Sequence, residues 1–268
     1  MLLRFGKLHC LGDDLMLVDH LGQQVQIDPT LVQQWSKRTQ GVGFKRLVLV
    51  GVPRAPDADF SCRSFDRHGQ EVDSHFADLC SAARFLHDKR LTNQPKLQIE
   101  TRSSRIRLHV RGDGWIAADY DSTGHVSGGH PLEPQLLQHL QRVSERHSLQ
   151  LNWQVCGQQL AVWSDQAPPL RLHRLLQPVV RELRGWQLLW LYSHERRIRV
   201  HGWQGADADL AGHDPARLIA SQVRRNVQLP VVQVEWQQEC LLLEFSPQQD
   251  SVQLFARAWP VYEGQIRL

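Results

Sequence analysis

The chain has 268 residues, 41% of them hydrophobic, and a formal net charge of +3. This length and apolar content fit a globular protein with one large or two medium domains that bury a sizeable core. The small charge does not by itself indicate a polyanion, so a nucleic-acid partner is not expected. The sequence has no apolar run typical of a transmembrane helix or a signal peptide, so no membrane partner is expected either.

The cysteines and histidines show no pattern of a stabilising bridge or a metal site. There are five cysteines, an odd number without a Cys-x-x-Cys pair, so a disulfide framework is not predicted and a reducing, cytoplasmic location is the default. The fourteen histidines show no ligand spacing of the zinc type. We therefore predict neither a metal nor another cofactor.

Short strands and one long helix are predicted in the first half. Within residues 75–88, the side chains of Phe76, Leu79, Ala83 and Leu86 recur at the spacing of one helix face. Apolar runs between turn residues predict strands at Leu15–Asp19, Leu47–Val52, Phe60–Phe65 and Leu97–Glu100. Residues 105–111 alternate basic and apolar side chains, which is compatible with a nucleic-acid surface, but at this low charge we expect a solvated strand face.

The second half is predicted to repeat this plan after a breaker-rich linker at residues 121–131. Its strands are predicted at Gln150–Val155, Gln159–Trp163, Leu188–Tyr192 and Val231–Trp236. Three helices, each entered by a proline, are predicted at Pro134–Arg146, Pro178–Leu183 and Pro215–Arg225. Both halves thus combine short strands with helices.

Four segments resemble motifs of the diaminopimelate epimerase family. Lys7–Asp14 is similar to the family's opening Lys-Met-His-Gly-Leu-Gly-Asn-Asp, and Gly41–Arg46 is similar to its Gly-Val-Gly-Phe-Asp-Gln. Phe65–Cys80 resembles the active-site segment Phe-Asn-x-Asp-Gly-Ser-x-x-x-x-Cys-Gly-Asn-Gly, and Ala258–Leu268 is similar to the closing strand with its Val-Tyr-Asp/Glu-Gly. The resemblance extends over nearly the whole chain.

The resemblance implies an α/β fold of two pseudo-symmetric domains, each a mixed sheet wrapped around a central helix. We place the N-terminal domain at residues 1–121 and the C-terminal domain at residues 122–260, and expect residues 261–268 to return to the first domain as its closing strand. Proteins of this fold commonly dimerise. A homodimer, or a heterodimer with a paralogue or another protein, is therefore expected.

The ligand-facing positions of these motifs differ from the family. Its substrate-binding residues are matched, in chain order, by Asp13, Arg46, Asp66 and Gln158. Aspartate stands at positions 13 and 66 where the family has asparagine. These changes add carboxylates where the family binds an acidic substrate, and like charges near one site repel unless one is protonated. The resemblance thus implies that the family's dicarboxylic amino acid is excluded.

The two positions of the family's proton-transferring cysteines are altered as well. Aligned without gaps, His75 stands at the first position and Gly212 at the second, or His213 after a shift of one residue. Glycine cannot transfer a proton, whereas an imidazole is able to act as a general acid or base near neutral pH.

Both glycine-rich helix starts of the family, which offer bare amides to a carboxylate, are predicted to be filled by the protein itself. Asp214-Pro215 is typical of an N-cap followed by the first helical residue, and Ser74 or Asp73 offers the same chemistry before the other helix. Such caps occupy the amides that would otherwise hold an anion.

Two functional hypotheses follow. In the first, the protein has lost epimerase activity and serves as a non-catalytic binding or assembly partner. In the second, it is a PLP-independent, cofactor-free epimerase or isomerase in which His75 works with His213 or Asp214 across the domain interface on a less acidic, non-standard substrate. We favour the first hypothesis. The second requires the anion-binding amides, the residues that hold the substrate and the two proton-transferring groups all to be replaced together.

Overall fold

A computed structural model of the chain describes residues 2–23, 25–121, 134–168, 186–204, 214–247 and 251–267. The chain divides into two compact units. The first comprises the residues up to Asp119 together with those from Phe255 onward, and the second runs from Tyr120 to Leu254. The sequence had suggested changes of domain after residues 121 and 260.

The first unit is built on one mixed sheet. Its strands are β1 (Leu2–Cys10), β2 (Asp13–Asp19), β3 (Arg46–Gly51), β4 (Phe60–Asp66), β5 (Glu71–Val72), β6 (Lys96–Glu100), β7 (Arg105–Val110), β8 (Ile116–Asp121) and β16 (Trp259–Arg267). Their order is β16-β1-β2-β3-β4-β6-β7-β8, and β5 lies beside β4. β16 pairs antiparallel with β1, so the closing segment returns to the first unit as expected.

Two helices lie on opposite faces of this sheet. Helix α2 (Phe76–Asp88) has ten buried residues among its 13, because strands β1, β2, β3, β4, β7 and β16 pack against it. The shorter helix α1 (Pro29–Ser36) is capped by Asp28 and buries Val32 and Trp35 in a cluster with Leu49 and Phe65. The sheet of the first unit is therefore covered by α2 on one face and partly by α1 on the other.

The second unit has the same kind of architecture. Its strands are β9 (Leu151–Cys156), β10 (Gln159–Ser164), β11 (Gln187–His194), β12 (Arg197–Gln204), β13 (Val231–Trp236), β14 (Glu239–Phe245) and β15 (Ser251–Ala256), ordered β15-β14-β13-β12-β11-β10-β9. Helix α3 (Pro134–His147) contributes Leu140 and Val143 to a core with Trp190 and Tyr192. Helix α4 (Pro215–Asn226) packs against β9, β10 and β14.

Pairing directions make the two units alike. In the first, the antiparallel pairs β1–β2, β3–β4 and β6–β7 are joined through parallel contacts of β2 with β3 and of β4 with β6. In the second, β9–β10, β11–β12 and β13–β14 are joined in the same way. The predicted class, two pseudo-symmetric α/β domains with mixed sheets, is confirmed.

Most predicted elements agree with the structure to within one or two residues. Helix α1 was not predicted, although its Asp28-Pro29 start is the same signature that located α4. The predicted helix Pro178–Leu183 lies outside the described residues, as does the linker beyond residue 121. Among the described residues, no helix is long and apolar enough to span a bilayer.

Candidate functional site

A buried arginine connects the sheet of the first unit to its central helix. Arg46, the first residue of β3, has a side chain that is only 3% exposed. Its Nε donates to both carboxylate oxygens of Asp78 in α2, at 2.8 and 3.0 Å, and its Nη2 donates to Oδ2 of Asp13 at 2.6 Å. One guanidinium thus holds two carboxylates, with the planar donor geometry that arginine offers to such groups.

Asp13 binds a second cation. Its Oδ1 accepts from Nζ of Lys45 at 2.7 Å. Burial opposes ionisation of Asp13, but Lys45 and Arg46 outweigh it and lower the pKa of that carboxyl well below its usual range. Burial likewise opposes the charge of Arg46, and the neighbouring Asp78 and Asp13 raise its pKa above the ordinary value. Asp13 and Arg46 are therefore both charged at neutral pH, as paired buried ions must be.

Asp78 also closes the start of α2. His75 is the N-cap residue, and its backbone N–H donates to Oδ2 of Asp78 at 2.9 Å, while the Ser64 hydroxyl donates to the same oxygen at 3.0 Å. An acid at the third helical position suits the positive end of the helix dipole. The cap predicted at Ser74 or Asp73 is wrong, because the N-cap is His75, and the Ser74 hydroxyl lies 2.9 Å from that of Ser64.

His75, the candidate for proton transfer, lies beside this ion network. It is 8% exposed. Its charge lowers the pKa of Asp13, although less than Lys45 and Arg46 do. The first unit therefore brings together three of the predicted site residues, namely His75, Asp13 and Arg46. We call the group formed by Asp13, Lys45, Arg46 and Asp78 the ion network.

A second cluster of charges lies next to it along the chain. Asp14 accepts from Nζ of Lys7 at 2.8 Å and from the guanidinium of Arg38 at 2.9 Å. Burial lowers the pKa of Lys7, and its bond to Asp14 only partly offsets this effect. Lys7 also donates to the backbone carbonyl of Gly43. The opening motif and the Gly41–Arg46 motif are thus tied together by charged side chains.

Asp66 organises a turn at the end of β4. It is 1% exposed, and its Oδ1 accepts from the backbone N–H groups of His68 and Gln70 at 2.9 and 2.8 Å. Gly69 in this turn has φ +76°, and a Cβ there would lie 2.4 Å from Cα of Pro29, so only glycine fits. The other oxygen, Oδ2, has no hydrogen-bond partner among the described residues. The structure thus gives Asp66 a turn-forming role beside its predicted role in binding substrate.

The remaining predicted site residues belong to the second unit. Gln158 is exposed in the turn between β9 and β10, where its carbonyl accepts from the backbone of Gln187 at 2.9 Å. Asp214 is the N-cap of α4 and accepts from the backbone N–H of Ala216 at 3.0 Å, which confirms its predicted capping role. His213 lies outside the described residues. The parts proposed for these residues in binding or proton transfer stay predictions.

The sequence had not assigned three members of this site. Lys45 and Asp78 were visible only as departures from the family's motifs, and Ser64 as part of a predicted strand. An acid three residues after a helix N-cap is itself a recognisable signal for capping. No local signal pairs Asp78 with Arg46, because the two residues are 32 positions apart.

Neither a disulfide nor a cluster of metal ligands occurs within the described residues. Four of the five cysteines are buried. Burial, followed by the charge of Asp78, raises the pKa of the Cys62 thiol to about 12, so it stays protonated at neutral pH. Within the described ranges, no three His, Cys, Asp or Glu side chains are grouped closely enough to hold a metal ion.

Solved structures share the fold of this chain at low sequence identity. A phenazine biosynthesis protein of the PhzF family from Bacillus anthracis has a TM-score of 0.66 at 14% identity, covering 100% of both chains. A predicted epimerase from Pseudomonas aeruginosa has a TM-score of 0.64 at 15% identity over 99% of both chains. At these identities, the likeness establishes the fold alone.

Sequence relatives are closer. No protein-family model matches the chain. The diaminopimelate epimerase of Stutzerimonas stutzeri is 30% identical over 286 aligned positions, and that of Ectopseudomonas mendocina is 31% identical over 276, each covering 100% of both sequences. Identity at this level along the entire length, together with the shared two-domain fold, shows that the chain belongs to the diaminopimelate epimerase family.

Proposed function

We propose that this protein is a non-catalytic member of the family that acts as a binding or assembly partner. The observation that carries the proposal is the ion network, in which Arg46 binds Asp13 and Asp78 with three hydrogen bonds between 2.6 and 3.0 Å. These residues stand at or beside positions that bind substrate in the family. Here their charges are directed at one another.

The helix N-termini support the same proposal. A bare helix start binds anions through its free amides and dipole. In α2 the carboxylate of Asp78 accepts from the His75 amide, and in α4 the carboxylate of Asp214 accepts from that of Ala216. Each helix therefore carries a carboxylate of its own at its start, which makes the helix start less suited to a further anion.

The acids of the first unit also disfavour an acidic substrate. Asp13, Asp66 and Asp78 are all at most 3% exposed. Asp13 and Asp78 already bind Lys45 and Arg46, so a further carboxylate would have to compete with these acids for the same cations. By motif alignment, His75 stands where the family has a thiol. The site is thus suited neither to the family's acidic substrate nor to proton transfer by a pair of thiols.

The catalytic half of the proposal is tested by proton exchange. The protein is incubated in deuterated water with diaminopimelate and a panel of other amino acids, and incorporation of deuterium at the α-carbon is followed by mass spectrometry. The diaminopimelate epimerase of Stutzerimonas stutzeri, assayed in parallel, provides the positive control. We expect no exchange above that of buffer, and catalysed exchange of any member of the panel would overturn the proposal.

The second hypothesis is tested by the same assay with matched variants. An epimerase that relies on His75 with His213 or Asp214 would exchange the α-hydrogen of a non-standard substrate, and His75→Ala would abolish the signal. His87→Ala changes a histidine near the other end of α2 and provides a control for folding. Exchange by wild type and His87→Ala, but not by His75→Ala, would establish the enzymatic alternative.

An assembly role is supported by the edge of the first sheet. Strand β16 is nine residues long and ends the strand order, with β1 on one side and no strand on the other among the described residues. Trp259, Val261 and Tyr262 are 46 to 56% exposed, and a register shift in β1–β16 leaves Val261 without a paired residue. Long apolar edges of this kind favour pairing with another chain.

We assign a second copy of this chain to that edge. Identical strands pair antiparallel about a two-fold axis, the commonest symmetry of protein dimers. Pairing centred on Gly264 places Tyr262 of each copy opposite Ile266 of the other, an aromatic and β-branched pair of the kind that stabilises sheets. The same register sets Glu263 opposite Gln265, so no like charges meet.

Light scattering after gel filtration tests this assembly. We expect wild type at twice the chain mass of 30.9 kDa. Val261→Lys places a charge on the open edge and should give a monomer. Val231→Lys alters a valine of similar exposure on β13, a strand that has β12 and β14 as neighbours, and should remain a dimer. A monomeric wild type, or a dimer unaffected by Val261→Lys, would contradict assembly through β16.

A further inference from the structure

The first unit contains a groove that the proposed function does not use. Its cavity volume is about 1010 Å³, and it lies on the sheet face opposite α2. Successive side chains of strand β4 point to opposite faces of the sheet. Ser64 donates to Asp78 of α2 on one face, so Arg63 and Phe65 point to the other. The groove is therefore separated from the ion network by the sheet.

Arginines from three separate segments line this groove. Arg54 follows β3, Arg63 lies on β4, and Arg102 lies in the turn between β6 and β7. Ser61 of β4 and His20 after β2 add polar side chains to the lining. The topology thus brings cations from distant parts of the sequence to one concave surface.

The two carboxylates of this groove are already engaged. Both oxygens of Glu71 accept from the Arg63 guanidinium, at 2.9 and 2.6 Å. Oε2 of Glu100 accepts from the backbone N–H groups of Arg54 and Ala55, at 2.5 and 3.3 Å. These acids therefore serve to position arginines and a loop, and the groove is not suited to cations.

The remaining cations retain free donors. Among the described residues, the guanidinium of Arg54 has no hydrogen bond or ion pair, and Arg102 donates from a single Nη1 to the backbone carbonyl of Glu71. The pKa of Glu71 is lowered first by its bond to Arg63 and further by the charges of Arg102 and Arg54, so the three guanidinium groups lie around one carboxylate. The Ser61 hydroxyl also makes no hydrogen bond with the described residues.

We propose that this groove binds an organic anion whose phosphate or carboxylate groups are held by Arg54 and Arg102. Guanidinium groups offer paired N–H donors to both kinds of oxyanion. The volume exceeds the need of an inorganic ion and corresponds to a ligand of small-molecule size. The Ser61 hydroxyl provides a neutral donor within the same lining.

A shallower extension gives room for the ligand's uncharged part. It has a volume of about 570 Å³, shares His20 and Arg63 with the groove, and adds the apolar Ile27, Pro29, Leu49 and Phe65. Asp28 also lines it, but its carboxylate already caps α1 by accepting from the Thr30 amide. The Arg63 guanidinium lies 5.1 Å from the centre of the Phe65 ring. A charged group of the groove and an aromatic ring of the extension are therefore in contact. A ligand with an anionic end and an apolar or aromatic end fits both regions.

Calorimetric titration of the full chain tests this assignment. The probes are ATP for phosphate, citrate for carboxylate and adenosine as the uncharged counterpart, in about 0.1 M salt to screen diffuse attraction. We expect ATP, citrate or both to bind and adenosine not to bind. The difference between the first two identifies the preferred oxyanion.

Matched double variants locate the binding. Arg54→Gln with Arg102→Gln should weaken the bound probe at least about tenfold. Lys96→Gln with Arg107→Gln removes the same charge from the same sheet face outside the groove, and should leave the affinity unchanged. Absence of binding by wild type, equal loss in both double variants, no loss in either, or equal binding of adenosine would each overturn the proposal.

Discussion

Helices α2 and α4 each have an aspartate at their start, but in different surroundings. In α2, Asp78 lies three residues after the N-cap His75 and accepts from the His75 amide, whereas in α4 Asp214 is itself the N-cap and accepts from the Ala216 amide. Asp78 is completely buried and also binds the guanidinium of Arg46, whereas Asp214 is half-buried and lies directly before Pro215. A cap is a local feature in α4 and part of a long-range ion network in α2. Equal chemical changes at the two positions should therefore have unequal effects.

The largest effect is expected from breaking the network at Arg46. Arg46→Gln leaves Asp13 and Asp78 buried without their shared cation, which should lower the free energy of unfolding by about 3 to 5 kcal/mol. Urea denaturation measures the change. Arg63→Gln, which breaks an exposed pair with Glu71, is the control and should cost about 0 to 1 kcal/mol. Similar losses in both variants would show that Arg46 is not a central contact.

A smaller effect is expected from an isosteric change at the two caps. Asp78→Asn keeps the shape but removes the charge that faces Arg46, and should lower the free energy of unfolding by about 2 to 3 kcal/mol. Asp214→Asn should change it by less than about 0.5 kcal/mol, because asparagine caps helices as well as aspartate does. Thermal or urea unfolding of both variants gives the comparison, and equal losses would remove the distinction between α2 and α4.

The pH dependence of stability sharpens the comparison further. Because the pKa of Asp13 is lower in the folded protein than its ordinary value near 3.8, its contribution is complete above that value. The contribution is lost as the pH falls through the lower, folded pKa. The difference in stability between wild type and Asp13→Asn should therefore narrow below about pH 4. A constant difference from pH 7 to pH 3 would contradict the assigned pairing with Lys45 and Arg46.

Local patterns predicted the secondary structure well. The start of α4 was found from Asp214-Pro215, and α2 from the spacing of its apolar side chains, because both signals are contained in the helix and the residues directly before it. The same signature at Asp28-Pro29 would have found α1. This short helix has only two buried residues, Val32 and Trp35, so its periodicity is weak.

The candidate site was predicted in part. Motif comparison identified Asp13, Arg46 and His75, and the structure places them together. Motif comparison did not identify Asp78 as the partner of Arg46, because that contact joins β3 to α2 across 32 residues. The groove was not predicted at all, since Arg54, Arg63 and Arg102 share no pattern in the sequence.

The amino-acid sequence by itself determined the α/β class, the two-part organisation and the resemblance to the family's motifs, because these depend on periodicity, turn residues and short motifs. Only the tertiary structure decided what the charged side chains within those motifs contact. The parallel pairing of β2 with β3 and the packing of α2 on the sheet bring Asp13, Arg46 and Asp78 within bonding distance on one face. The strand connections also gather three arginines on the other face. Burial then requires the first set of charges to pair, while exposure leaves Arg54 and Arg102 with donors for a ligand.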